Sequence, residues 1–288
     1  MKHYLEYIIF FLVTRLLKLL PMDKSASLCS FLARKIGPLI GVTKIARRNL
    51  ENIYQDSIDV DQTIDDLWDN FGRYIGEFPF INKLSEEELT KRVTFTGLEN
   101  IEDLCQNNQP FMLFLGHQAN WDIVIRKINN IYPKFGIVYR KANNPLVDKE
   151  ILSERNNDSN VIMIAKGPSG ARGLVRAIKS KMSIAMLVDQ KMNDGIEVPF
   201  FGKPAMTAPA IARLALQYNY PIVPCQLIRN GRSSNFELKI YKPLKIKNTG
   251  DTEKDCYNIM KTINQMLEKW IRQHPGQWFW FHNRWKEK

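Results

Sequence analysis

Residues 111–122, Phe111-Met-Leu-Phe-Leu-Gly-His-Gln-Ala-Asn-Trp-Asp122, begin with the pattern of a strand and end with that of a helix. Five consecutive apolar residues predict a short buried strand, after which Gly116 allows the backbone to turn. Gln118 or Asn120 is suited to cap a following helix, whose first turn then contains Asp122. Such a corner is typical of an α/β fold, in which ligands bind at the carboxyl ends of the strands.

His117 and Asp122 are the candidate catalytic residues of this corner. Two side chains five positions apart can meet where a strand turns into a helix. A neutral imidazole accepts a proton near neutral pH, and a carboxylate on its other nitrogen fixes the tautomer and stabilises the cation. No serine, cysteine or threonine lies between them, so we expect the nucleophile to come from the substrate. The structural alternative is a core histidine that ends a strand and an acid in the first turn of a helix.

Further strand patterns surround this corner and predict a sheet. They cover residues 93–96, 136–139, 161–165, 183–188, 221–227 and 236–240. Arg140 follows the second of these patterns and Asp189-Gln190 follows the fourth, so all three residues are expected at the ligand edge of the sheet. The sequence therefore predicts an α/β fold with a mixed, mainly parallel sheet flanked by helices.

The N-terminal residues predict a helix that associates with membranes. Residues 4–20 are apolar apart from Glu6, Arg15 and Lys18, which is marginal for a spanning helix and lacks a signal-peptide cleavage site. Arg15 and Lys18 lie three positions apart and are expected to face anionic lipid; an ordinary buried first helix is the alternative. We predict a membrane-associating helix over 1–22 and a single domain over 23–288, whose first part, 23–90, is helical.

Charge is distributed unevenly along the chain. The net charge of +11 divides into +7 for residues 1–50 (nine basic, two acidic), −10 for residues 51–110 (four basic, fourteen acidic) and +14 for the remainder (28 basic, 14 acidic). Basic surface around the presumed site suits an anionic partner. The four cysteines have no paired spacing and histidines are few, so neither a metal site nor a disulfide framework is expected.

Several motifs resemble known enzymes. The pattern His-x-x-x-x-Asp of 117–122 resembles the signature of the glycerolipid-type acyltransferases, and Gly116 to Asp122 resembles the lipid A biosynthesis acyltransferases within that superfamily. The other resembling blocks are Ala46-Arg-Arg-Asn-Leu50, Tyr139-Arg-x-x-Asn-Asn-Pro145, Asp189-Gln190 with Val198-Pro-Phe-Phe-Gly-x-Pro-Ala-x-Thr207, and Pro275-x-x-Trp-x-Trp-x-His-x-Arg-Trp285. The resemblance runs from about residue 40 to the C-terminus.

The resemblance implies transfer of a fatty acyl group from an acyl carrier protein thioester to a hydroxyl of a phosphorylated, glucosamine-based lipid A precursor. It implies a location at the cytoplasmic face of the bacterial inner membrane, on an anionic membrane surface. No cofactor is expected beyond the thioester co-substrate, and no nucleic acid is expected as a partner. His117 would remove the hydroxyl proton and Asp122 would orient the imidazole.

Five further residues are candidates for substrate binding. The planar guanidinium of Arg140 suits a lipid phosphate, and Arg172 lies where a glycine-containing turn leads into a basic helix, although a solvated basic face explains it equally well. Asp189 could organise Arg140 or the oxyanion site. Gln190 lies beside it, and Thr207 is expected to cap a helix with Pro209 in its first turn.

Two other functions fit the same residues. The chain could be a non-catalytic lipid-binding protein of the membrane surface that retains the fold, or an acyltransferase for another glycolipid or phospholipid acceptor. Hydrolysis of a thioester or ester is a third possibility, if water replaces the lipid hydroxyl. The acyl-chain length, the acceptor position and the oligomeric state stay open at this point.

Overall fold

A seven-stranded sheet organises the central part of the chain. The computed structural model describes residues 1–128, 132, 134–155 and 160–285. The strands of these ranges are β1 (Val93–Thr96), β2 (Met112–Leu115), β3 (Phe135–Tyr139), β4 (Val161–Ala165), β5 (Ser183–Leu187), β6 (Lys191–Phe200), β7 (Lys203–Thr207), β8 (Ile222–Arg229) and β9 (Phe236–Ile240). The large sheet has the order β1-β9-β8-β2-β5-β3-β4, and β6 pairs with β7 as a separate hairpin.

Within the large sheet, β8 and β9 are antiparallel and the other neighbouring strands are parallel. The predicted mixed, mainly parallel sheet is therefore confirmed. Helices cover both of its faces, so its central strands are buried throughout, as the continuous apolar run of β2 indicates.

The helices of the described ranges connect these strands and form an N-terminal layer. They are α1 (Lys2–Leu17), α2 (Met22–Ile36), α3 (Val42–Tyr54), α4 (Val60–Glu77), α5 (Glu86–Arg92), α6 (Glu102–Gln106), α7 (Trp121–Ile128), α8 (Pro145–Arg155), α9 (Pro168–Lys179), α10 (Ala210–Tyr218) and α11 (Thr252–Gln273). Ser85 caps α5, because Ser85 and Glu88 form a reciprocal capping box.

Alternating side chains of the strands build two separate cores. Leu113 and Leu115 of β2 pack on the face covered by α7, with Ile123 and Val124 of that helix. Met112 and Phe114 point to the opposite face, where the cluster includes residues of α9, α10 and α11. The period of two along a strand thus fixes which helix each residue meets. Because β2 lies in the middle of the sheet, the corner that follows it is central to both cores.

A buried ion pair joins the N-terminal layer to the sheet. Glu77 at the end of α4 pairs with Arg229 at the end of β8, and both side chains are at most 1% exposed. Glu77 also accepts hydrogen bonds from Ser234 Oγ at 2.7 Å and from Asn120 Nδ2 at 2.7 Å. Arg229 Nε donates to Asn70 Oδ1 at 2.8 Å. The two charges are therefore compensated by a network rather than by a single contact.

One of the two basic residues predicted to face lipid is turned inward. Lys18, just after α1, bonds to Glu154 of α8 and is largely buried, whereas Arg15 lies 3.8 Å from Glu150 and keeps about half of its side chain exposed. No helix in the described ranges is both long and apolar enough to cross a bilayer. Large apolar side chains are nevertheless exposed along α1, α2 and the turn after them: Tyr4, Leu5, Ile8, Ile9, Leu12, Val13, Leu16, Leu19, Leu28, Phe31, Leu32, Ile36, Leu39, Ile40 and Val42.

The buried ion pair gives a stability prediction. Glu77→Ala leaves the Arg229 charge buried without its carboxylate, and we expect the free energy of unfolding to fall by about 3–5 kcal/mol. Urea denaturation measures the loss. The matched control is Glu253→Ala, because the Glu253–Arg213 pair is exposed and exposed pairs contribute about 0–1 kcal/mol. Equal losses in the two variants would mean that the buried pair does not hold α4 on the sheet.

Candidate active site

The corner after β2 is held in place by the C-terminal segment, residues 274–285. Gln118 forms an isolated antiparallel bridge with Trp278. The Ala119 amide donates to Gln277 O at 2.9 Å, and the Phe279 amide donates to His117 O at 3.0 Å. These bonds fix the backbone on both sides of the imidazole.

Ala119 has a φ of +52°, in the left-handed region that non-glycine residues rarely adopt. The bond of its amide to Gln277 O supports this conformation. A backbone that is held in an unfavourable region next to a candidate catalytic residue is a common feature of functional sites.

His117 is bonded to Asp189, and this differs from the prediction that Asp122 touches it. His117 Nδ1 lies 2.6 Å from Asp189 Oδ1, and the His117 amide donates to Asp189 Oδ2 at 2.7 Å. The register explains the pairing. Leu115 lies beside Leu187 in the parallel strands β2 and β5, so residues two positions further along each strand meet at the sheet edge.

Asp189 is fully buried and accepts a third hydrogen bond, from Trp278 Nε1 at 2.6 Å. Burial alone would raise the pKa of Asp189, but the neighbouring His117 imidazole and its hydrogen bonds hold that pKa below its ordinary value. The group is therefore a carboxylate at neutral pH. It accepts the Nδ1 proton, so Nε2 is the ring nitrogen left to take a proton.

Gly116 permits this close approach. A Cβ at this position would lie 3.1 Å from Leu267 Cδ2 and 3.3 Å from Asp189 Oδ2. A side chain at this position would require Leu267 or the Asp189 carboxylate to shift by a few tenths of an ångström. The absence of a side chain at Gly116 therefore favours the close packing of Asp189 against this corner.

Asp122 lies in the first turn of α7, as predicted, and has other partners. Its carboxylate accepts a hydrogen bond from Tyr74 Oη at 2.8 Å and lies 2.9 Å from Arg155 Nη2. Burial and the Asp122 charge raise the pKa of Tyr74 well above its ordinary value, so the phenol stays a donor. Burial alone would lower the pKa of Arg155, yet Asp122 raises it, so the guanidinium stays charged.

A cavity of about 350 Å³ opens beside His117, which we call the front cavity. Its apolar wall comes from the α7 face of the sheet and from α7, with Leu115, Val124, Ile125, Ile128, Ile137, Met163, Ala185 and Leu187 among its members. His117, Asp122, Arg140, Arg155, Lys166 and Gln190 supply its polar groups. An apolar pocket with a few convergent polar groups is the usual form of a small-molecule site.

The three cations of the front cavity, Arg140, Lys166 and Arg155, differ in their exposure and in their neighbours. Arg140 is exposed and donates to Asn143 Oδ1 at 2.9 Å. Lys166 lies at the end of the neighbouring strand, where desolvation and the Arg140 charge lower its pKa while Asp189 raises it. Arg155 is largely buried and pairs with Asp122. The sequence indicated Arg140 but neither Lys166 nor Arg155.

Two of the predicted binding residues lie away from the front cavity. Arg172 is an exposed residue of α9 and does not line it. Thr207 ends β7 and is not a helix cap, because α10 begins at Ala210 with Pro209 at the N-cap position. The Thr207 hydroxyl instead accepts a bond from Arg284 Nη2 at 2.8 Å, since the hairpin brings the end of β7 against the C-terminal segment.

Besides Lys166, three residues with contacts in the site were not predicted from the sequence: Tyr74, Arg155 and Trp278. Tyr74 lies in α4 and Arg155 ends α8. Only Trp278 carried a signal in the sequence, because it belongs to the block 275–285 that resembles the acyltransferases. Trp278 and Trp280 are at most 1% exposed, so this block packs against the core.

Comparison with known proteins shows that a family model matches almost the whole chain. The model of the family described as bacterial lipid A biosynthesis acyltransferase matches residues 1–287. A lipid A biosynthesis acyltransferase of Haemophilus influenzae is 25% identical over 252 residues, which cover 85% of this chain and 77% of the relative. A lipid A biosynthesis myristoyltransferase of Escherichia coli K12 is 23% identical over 198 residues, or 67% of this chain and 59% of the relative.

The chain is also similar to an acyltransferase whose name gives a different lipid acceptor. A phosphatidylinositol mannoside acyltransferase of Mycobacterium tuberculosis is 20% identical over 224 residues, which cover 75% of this chain and 68% of the relative.

The buried histidine of the C-terminal segment gives a prediction on pH. His282 Nδ1 lies 2.9 Å from Phe279 O, and Nε2 is buried with no hydrogen-bond partner among the described residues. Burial lowers the pKa of His282 to about 4. In the unfolded chain this pKa has its ordinary value of 6.5. Between pH 6.5 and pH 4, His282 therefore binds a proton in the unfolded chain but not in the folded one. Stability should therefore fall as the pH falls through this window, by up to roughly 1.4 kcal/mol per pH unit.

His282→Gln should remove this contribution, so that its free energy of unfolding depends less on pH between 6.5 and 4 than that of the wild type. Urea denaturation at several pH values measures the difference. His3→Gln is the control, because His3 is exposed, and it should retain the wild-type slope. A slope unchanged by His282→Gln would show that this histidine titrates alike in the folded and unfolded chain.

Proposed function

The chain belongs to the bacterial lipid A biosynthesis acyltransferase family, and on this premise we propose the reaction that it catalyses. It transfers a fatty acyl group from an acyl carrier protein thioester to a hydroxyl of a phosphorylated, glucosamine-based lipid A precursor. The observation that carries the proposal is the His117–Asp189 pair at the mouth of an apolar cavity whose rim bears Arg140 and Lys166.

His117 acts as the general base in this proposal. Asp189 holds the Nδ1 proton, and Nε2 takes the proton of the acceptor hydroxyl as its oxygen attacks the thioester carbonyl. When the tetrahedral intermediate collapses, the carbon–sulfur bond breaks and Nε2 returns the proton to the leaving thiolate. The new ester and the free thiol balance the reaction, and no cofactor takes part.

The buried carboxylate of Asp189 stabilises the imidazolium that forms in this step. It replaces Asp122 in the orienting role that the sequence suggested. Asp122 does not contact His117 but holds Tyr74 and Arg155 at the cavity. The Tyr74 hydroxyl proton is donated to Asp122, so we assign the remaining N–H groups of the Arg155 guanidinium to the charge that develops on the thioester oxygen. Donors fixed in advance of the reaction can contribute about 10²–10³ in rate.

The front cavity takes the acyl chain that is transferred. Its wall of aliphatic side chains matches a hydrocarbon tail, and His117 lies at its polar end. The cations of the rim, Arg140 and Lys166, lie where the phosphate of the acceptor is needed. A charge-assisted hydrogen bond from either cation to phosphate is stronger than a neutral one.

The acceptor reaches the protein from a membrane surface. The exposed apolar side chains of α1 and α2 suit contact with lipid at the cytoplasmic face of the inner membrane. The net charge of +14 over residues 111–288 suits both anionic lipid and an acidic carrier protein. Residues 1–22 are the membrane-contacting part in this proposal.

A second acceptor class is supported by one comparison. The similarity to the mycobacterial phosphatidylinositol mannoside acyltransferase favours a different glycolipid acceptor that also carries a phosphate. The rim cations suit either lipid. Mass spectrometry of the product formed from each acceptor with acyl carrier protein donors separates the two, whereas a non-catalytic lipid-binding protein forms neither product.

The catalytic pair gives the central test. We expect His117→Ala to lower kcat for acyl transfer by at least about 10²-fold, because the general base is lost. Asp189→Asn should also lower kcat strongly, since an amide can bind the imidazole in the wrong tautomer. Asp194→Asn is the matched control, because Asp194 is an exposed aspartate of β6, and it should keep wild-type turnover. Melting temperatures confirm that each variant is folded.

The outcome that contradicts this assignment is specific. Wild-type turnover in folded His117→Ala protein would exclude the imidazole as the base. A large loss in Asp122→Asn together with little loss in Asp189→Asn would return the orienting role to Asp122.

Arg140 gives a separate prediction on the acceptor phosphate. Arg140→Lys keeps the charge but loses the planar pair of donors. We expect kcat/KM for the phosphorylated acceptor to fall by an amount that corresponds to a loss of about 1.5–3 kcal/mol of transition-state stabilisation. The dephosphorylated acceptor should be affected much less. Because Arg140 is exposed, the melting temperature should hardly change. Equal losses on both acceptors would move the phosphate site elsewhere.

A further inference from the structure

A second apolar cavity lies on the opposite face of the same strands. It measures about 340 Å³, and we call it the rear cavity. Ile164, Met186 and Val188 form its floor, and Leu174 of α9 and Ile211 of α10 form its sides. These residues belong to the core on the α9 and α10 face of the sheet, whereas the wall of the front cavity belongs to the α7 face.

The two cavities meet at the carboxyl edge of the sheet. Six residues line both of them: Val138, Arg140, Lys166, Met186, Leu187 and Gln190. The strands β3 and β5 therefore stand as a partition between two apolar spaces, and the polar ends of these strands form a common mouth. The rear cavity shares these lining residues with the candidate site, but His117 does not line it.

The common mouth is cationic and the spaces behind it are apolar. Arg140 and Lys166 lie at the mouth, and Lys191 lies beside them at the rear cavity. No carboxylate lines the rear cavity within the described residues. This combination fits an amphiphile with an anionic head group and more than one hydrocarbon chain.

We propose that the rear cavity binds an acyl chain that the acceptor lipid already carries. The proposal rests on the proposed function, because it assigns the front cavity to the chain that is transferred. A chain in the rear cavity hangs from the same mouth but cannot present its carbonyl to His117. It therefore belongs to the substrate whose phosphate lies at Arg140 and Lys166, namely the acyl-bearing acceptor. The sheet then separates the two chains during the reaction.

Small residues give the rear cavity its space. Gly170 and Ala171 of α9 and Ala208 and Ala210 near the start of α10 all line it. A Cβ at Gly170 would lie 1.6 Å from Ala165 O, so that glycine is required for the packing of α9 on β4 and is unsuitable for a test. Ala171 is exposed as well as cavity-lining, and a larger side chain there can fill the space without breaking the core.

The first test fills the rear cavity. We expect Ala171→Trp to lower kcat/KM by about tenfold or more for a long-chain acceptor and by less than about twofold for an acceptor with short chains. Val175→Trp is the control, because Val175 is an exposed residue of α9 outside both cavity walls. Its kcat/KM should match that of the wild type. Equal loss on both acceptors, or no loss on either, would overturn the proposal.

The second test is photo-crosslinking, which depends neither on acyl transfer nor on the folding of the Ala171→Trp variant. The probe is a phosphorylated glucosamine disaccharide whose acyl chain carries a diazirine, bound to His117→Ala protein and to wild type without donor. Light should label peptides of α9 and α10, and unlabelled acceptor should compete. Label on α7, at Val124 or Ile125, or no label that competes, would refute the assignment. If the rear cavity is labelled but wild type transfers no acyl group, the proposed reaction fails and the lipid site stands.

Discussion

The carboxylate of Asp189 is the contact on which the rest of the site depends. It is completely buried, and its three hydrogen bonds come from two segments far apart in sequence: the amide and imidazole of His117 after β2, and the indole of Trp278. A buried charge is tolerated only when it is fully bonded. Binding these donors therefore fixes the imidazole, the end of β5 and the C-terminal segment with respect to one another.

Much of the fold follows from local sequence patterns. The segments predicted as strands all exist, and residues 93–96, 161–165 and 236–240 have the predicted bounds. Apolar runs of four or five residues in an α/β chain have few alternatives, because helices on both faces require strands that are buried throughout. The position of His117 and Asp189 at strand ends follows from the same patterns, and so does their presence at one edge.

The pairing of those residues could not be predicted in the same way. Spacing brings His117 near Asp122, but the order of strands decides which carboxylate arrives at Nδ1, and strand order is a property of the folded sheet. The hairpin of β6 and β7 was missed for a related reason. Its first four residues are exposed, so the alternating apolar pattern that reveals a strand is weak there, and Thr207 was assigned to the following helix.

The hold of the C-terminal segment on the His117 corner has a consequence for synthesis of the protein. The strands of the large sheet are complete once residue 240 has been made, yet the backbone partners of His117 and Ala119 lie at 277–279. A ribosome must therefore translate some forty further residues before the imidazole is locked against Asp189. A nascent chain that stops short of residue 277 lacks these backbone partners, so the order of the His117 corner depends on a segment made well after the last strand of the sheet.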